Sequence, residues 1–110
     1  MDMRLQQALY VAGQWKSGNA SVGDCRKASV EAIQVAKEAL NETAMAVARS
    51  IGHAVATAHM ADHSLKAAWY ALKAVICAGG SLEIERQWQD QQLPFDIRSL
   101  VLTARKSKDI

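Results

Sequence analysis

The stretch from Ile51 to Gly80, IGHAVATAHMADHSLKAAWYALKAVICAGG, limits what this chain can fold into more than any other part of it. Alanine, valine and leucine occupy nearly every side of a helix drawn through it, and a helix that is apolar all round has no face to offer water. Other helices must therefore surround it. Alanine costs no side-chain entropy in a helix and lets neighbouring backbones approach closely. The stretch predicts a tightly packed helical hairpin at the centre of an all-α bundle of five to six helices.

The rest of the chain supports this reading. Of its 110 residues 20 are alanine, 16 of them between Ala28 and Ala78, and only 5% are aromatic. Such a core is built from small side chains. At roughly 25 cal/mol per Å² of apolar surface it gains less than a leucine-rich core of equal length, which points to further burial in a homodimer or against a protein partner. One helical domain, residues 1–110, is expected, because single cores extend to roughly 250 residues. Net charge is +2, with 13 basic and 11 acidic residues interleaved, which is no signature of nucleic-acid binding. Arg49, His53, Asp62, Lys66 and Lys73 interrupt the best apolar window, so no membrane span is expected. Cys25 and Cys77 have no partner spacing and no secretory leader pattern is present, which suggests a cytoplasmic protein.

In chain order, Leu5, Ala8, Leu9, Ala12 and Trp15 recur at helical spacing and predict a first helix that Gly18 stops. Ser21 or Asp24 caps a second helix reaching about Leu40, with Lys27, Glu31, Gln34 and Glu38 as its wet stripe. Asn41 caps a third, from about Glu42 to Met60, in which Gly52 marks a close helix contact. A turn near Ala61 to His63 leads to a fourth that ends at Gly79 and Gly80. Ser81 to about Gln92 forms a polar fifth helix with Ile84 and Trp88 docked inward. Pro94 opens a sixth, carrying Ile97, Leu100, Val101 and Ala104, and residues 105–110 read as a frayed charged tail. Trp15 and Trp69 are expected in the core, as are Cys25 and Cys77.

Chemistry-bearing residues are few. His59 and His63 are four apart, so on a continuous helix both rings could reach one divalent metal, with His53 or Asp62 completing the set if the chain bends. The commoner role of such histidines is to bond backbone carbonyls or a carboxylate and fix how two helices meet. No GxSxG turn, phosphate loop or activated cysteine is present, so an enzyme built on this chain would have to be metal-dependent. Arg86, Trp88 and Gln89 cluster before the Leu93-Pro94 turn. Tryptophan beside arginine is the composition of a protein-binding hot spot, and equally of an indole anchor with a surface ion pair. Lys66, on the rim after the histidines, is a further contact candidate.

Taken together, GHAVATAH (Gly52 to His59), ADH (Ala61 to His63), AAWYALKAV (Ala67 to Val75), ER-x-WQ (Glu85 to Gln89) and Leu93-Pro94 resemble a group of bacterial immunity proteins of polymorphic-toxin systems. The likeness runs from about Leu5 to Leu102, and Trp15 to Gly18 and Arg26 to Ala28 fit it as well. It implies an all-helical, intracellular, non-enzymatic protein that binds and neutralises a cognate toxin. It supplies no functional residue and no cofactor. Relatives carry helical sequence ahead of the Trp15 region, so the resemblance implies a short form or cover from another subunit. Immunity proteins against basic nucleases tend to be strongly acidic, and a charge of +2 therefore disfavours a nuclease target. The alternatives are a small metal-binding enzyme or sensor using His59 and His63, or an oligomeric scaffold.

Overall fold

Short polar side chains start the helices of the computed structural model, which describes residues 1–58 and 63–108 and, among those residues, contains six helices: α1 (Met3–Lys16), α2 (Val22–Glu38), α3 (Glu42–Ala56), α4 (His63–Cys77), α5 (Leu82–Gln92) and α6 (Phe95–Ser107). Asp2, Ser21, Asn41 and Ser81 each accept a hydrogen bond from a backbone N–H in the first turn that follows. Ser21 and Asp24 do so reciprocally, both at 3.0 Å, which satisfies two amides that α2 would otherwise leave open. The two expected caps of α2 are thus halves of one box. Gly18 and Gly79, at φ of 81° and 82°, turn the chain out of α1 and α4 where a side chain would be strained.

α1 packs on both α2 and α3, α4 lies along the other side of α3, and α5 lies on α4. α3 is therefore the centre, and the hairpin that the alanine pattern implies lies only half inside the bundle. Its two helices are not equally covered. The continuous core is Leu5 and Ala8 of α1, Cys25, Ala28, Ala32 and Ala36 of α2, and Ala48, Ile51 and Val55 of α3. α4 buries only Leu72 and Ala74, and α5 buries no residue. The largest fully buried side chains are Val55 and Cys25, which shows how small the core's members are.

Gly52 explains how α2 and α3 come so close. A Cβ added there would stand 2.8 Å from Ile33 Cδ1, 3.1 Å from its Cγ1 and 3.6 Å from Ala32 Cβ. The Gly52 carbonyl accepts a 3.0 Å bond from Ser29 Oγ across the same contact. On α3's opposite side, Ser50 Oγ donates to the Ala67 carbonyl at 2.8 Å and ties α4 in place.

Several expectations require correction. Trp15 and Trp69 are not core residues, since Trp69 is 41% exposed and Trp15 nearly as much. Ile84 and Trp88 do not dock inward: they are 70% and 56% exposed, because α5 rests on α4 through Gln89 instead. Cys25 is fully buried as expected, whereas Cys77 is half-buried with its Sγ 3.9 Å from Glu42 Oε2. α6 continues through Ser107, and Arg105, expected to begin a frayed tail, is the one charged residue buried among those described. The third helix ends at Ala56 rather than Met60, and most of the expected turn, residues 59–62, lies outside the described residues.

Gly52→Ala gains up to about 1 kcal/mol of helix propensity and loses about 1–3 kcal/mol to overpacking against Ile33, so a net loss is expected. Trimming the obstructing methyl with Ile33→Val should make the same Gly52→Ala change less costly. Urea denaturation of the four proteins in this cycle checks it, and equal costs in both backgrounds would contradict the contact.

Candidate functional site

α4 carries three stripes, and each has a different neighbour. The Ala67 carbonyl accepts from Ser50 of α3 and the Ala68 carbonyl from Gln89 of α5, while Trp69, Tyr70 and Lys73, with Lys66, lie on the remaining side. At about 100° per residue, Lys66 and Ala68 lie on nearly opposite sides of the helix. The fourth helix thus presents to solvent a surface that its alanine content conceals.

That surface is continuous. The Lys73 ammonium stands 5.5 Å from the centroid of the Trp69 indole, Trp69 meets Tyr70 edge-on at 4.8 Å, and the Arg49 guanidinium lies 5.7 Å over the Tyr70 ring. Tyr70 stacks parallel on His53 at 5.3 Å, and His53 on His63 at 5.0 Å. Such a contact adds about 0.5–1 kcal/mol at an exposed position like that of Lys73 on Trp69, and the two together hold long side chains in defined places. From Thr43 to Leu82 the chain holds one acidic residue, Asp62, against Arg49, Lys66 and Lys73.

The histidines meet differently from the sequence expectation. His53, which seemed rotated away, stands with its Nδ1 2.8 Å from Nδ1 of His63, because the hairpin folds the end of α3 back against the start of α4. His59 and Asp62, the other members of the expected metal set, lie outside the described residues. Two nitrogens bound to one tetrahedral zinc at its usual bond lengths would be about 3.3 Å apart. At 2.8 Å the pair instead shares one proton, one ring donating and the other accepting. Among the described residues there is no group of three or more His, Cys, Asp and Glu side chains that could hold a metal.

Burial lowers the pKa of His53 below the ordinary value of 6.5, and the nearby His63, Lys66 and Arg49 add to it. The remaining expected contact residues are spread out. Lys66 is exposed beside His53. Trp88 lies on another side, with Val75, Ser81, Ile84 and Glu85 around a shallow recess. Gln89 is engaged with the Ala68 carbonyl at 3.3 Å and with Glu85 at 3.0 Å, and Arg86 is half-buried. Sequence reasoning placed Trp69 in the core and gave no role to Arg49, Tyr70 and Lys73. The recurrence of Lys66, Tyr70 and Lys73 at four and three, within a stretch nearly free of acid, was the available signal.

His53 binds fewer protons when folded than when unfolded, so its contribution to stability is lost as pH falls below about 6.5. Thermal unfolding between pH 7.5 and 5.5 should show a fall in Tm that His53→Phe, which keeps the stack on Tyr70, makes shallower. Parallel profiles for the two proteins would contradict the shared-proton geometry.

No curated protein and no solved structure matches the chain. A family model, Imm-5 like putative immunity protein, matches residues 1–96, which takes in the helices from α1 to α5 and the whole α3–α4 face. The chain belongs to the Imm-5 like immunity protein family.

Proposed function

We propose that this protein protects a bacterial cell by binding a cognate toxin in the cytoplasm, without catalysis of its own, and that the α3–α4 face makes the contact. Family membership supplies the class of function. The observation that carries the assignment of the face is the unbroken array of Arg49, His53, His63, Tyr70, Trp69 and Lys73, with Lys66 at its edge. Tryptophan, tyrosine and arginine dominate the energetics of protein interfaces because they bury large area at small entropic cost. Here the cation–ring contacts order them before any partner arrives.

An array with Arg49 and Lys73 held over rings and Lys66 beside them fits an acidic surface on the toxin. Opposite potential speeds encounter and disfavours wrong partners, while the rings supply the desolvated anchor. The same charge argument disfavours a basic nuclease surface. The exposed apolar residues of α5 and α6, Trp88, Phe95 and Leu100 among them, leave room for the homodimer suggested by the small core without covering the array.

Co-expression with the cognate toxin tests the proposal. Trp69→Ala should weaken the complex on the order of 2 kcal/mol, about 30-fold in Kd. The charge reversal Lys66→Glu with Lys73→Glu should abolish protection while Trp88→Ala retains it. Full protection by the double reversal, at wild-type expression, would sink the assignment of this face.

A further inference from the structure

α6 turns an ordered face to solvent. Its inner side is Arg98, Val101 and Arg105, three and four residues apart: Arg98 donates to the Leu93 carbonyl at 2.9 Å, and Val101 and Arg105 lie toward α4. At about 100° per residue the opposite side carries Asp96, Ser99, Thr103 and Lys106, with Leu100 on one flank and Phe95 and Leu102 on the other. All of these are exposed, Phe95 at 87% and Leu100 at 73%. The spacing from Asp96 to Lys106 is three, four and three, which is the seam along which two helices pack side by side.

That seam is complementary to itself. About Val101 as centre, Asp96 stands opposite Lys106, Ser99 opposite Thr103 and Leu100 opposite Leu102, so two copies of α6 running in opposite directions match acid to base and leucine to leucine. A parallel pair would put Asp96 on Asp96 and Lys106 on Lys106. The middle of the seam is short, so two backbones can approach until the flanking leucines cover each other. Its hydroxyls also match. Thr103 Oγ1 donates to the Ser99 carbonyl at 2.9 Å and is left as an acceptor, whereas the Ser99 hydroxyl has no partner among the described residues.

We infer that α6 is the docking surface for a second copy of this chain, laid antiparallel across a two-fold axis near Val101. Asp96 of each copy meets Lys106 of the other, Ser99 donates to Thr103, and Leu100 packs on Leu102. Self-complementarity of one patch is what a two-fold contact requires, and it selects a second copy over an unrelated chain. A core built of alanine gains from the added apolar burial. The helix is about 20 Å long, which places the contact at the small end of specific interfaces and the dissociation constant in the micromolar range. None of these residues belongs to the α3–α4 array, and the inference does not rest on the role of that array.

Sedimentation equilibrium of the full chain from about 1 to 500 µM tests the inference. A reversible monomer–dimer equilibrium is expected, and Leu100→Glu with Leu102→Glu should give a cooperatively unfolding monomer throughout. Asp96→Lys should weaken the dimer about tenfold, as should Lys106→Asp, because each turns two attractive pairs into two repulsive ones. The two changes together re-form the pairs with signs exchanged and should return the dissociation constant to within about threefold of its starting value. Trp88→Ala on α5 should leave the equilibrium as it was. A monomer at every concentration, a dimer that survives Leu100→Glu with Leu102→Glu or is lost with Trp88→Ala, or a double exchange that recovers nothing of what the single changes lose would overturn it.

Discussion

The close approach of α2 and α3 at Gly52 is the contact on which the other helices depend. With no side chain at that position, Ile33 and Ala32 reach the α3 backbone, and Ser29 Oγ can bond the Gly52 carbonyl. α1 then closes over both helices with Leu5 and Ala8. This spends the apolar surface on one side of α3. α4 packs on its other side, where Ser50 Oγ bonds the Ala67 carbonyl. Trp69 is left largely to solvent, while Tyr70 reaches back to His53 and Arg49 of α3.

The same geometry produces both surfaces of interest. The hairpin brings His53 to His63 and Arg49 to Tyr70, so cations and rings from two helices form one array. Across α4, α5 is shorter and largely polar, and α6 buries no apolar side chain. Phe95, Leu100 and Leu102 are left outside, on the face that a second copy covers. A core made of alanine thus leaves its larger chemistry at the periphery. This suits the partner-binding role proposed for the protein.

Much of the fold was legible because its causes are local. Ser21, Asn41 and Ser81 cap helices through bonds to amides three residues away, and Gly18 and Gly79 turn the chain by their own backbone freedom. Gly52 could be read as a contact because glycine inside a helical pattern has few other uses. Trp69, Ile84, Trp88 and Arg105 could not be placed. Whether a side chain on an apolar stripe is covered depends on how far the neighbouring helix extends, and periodicity does not carry that information. The histidine pair was hidden for a related reason: His53 and His63 lie ten residues apart and meet only because the chain reverses between them.

The central claim is that the α3–α4 face, and not the α5 surface around Trp88, receives the toxin. Oxidative footprinting of the protein alone and in complex with a cognate toxin reads both surfaces at once, since each carries an exposed tryptophan. The account predicts that Trp69 and Tyr70 are protected in the complex while Trp88 is labelled at its free rate. Protection of Trp88 with Trp69 and Tyr70 labelled as in the free protein would contradict it.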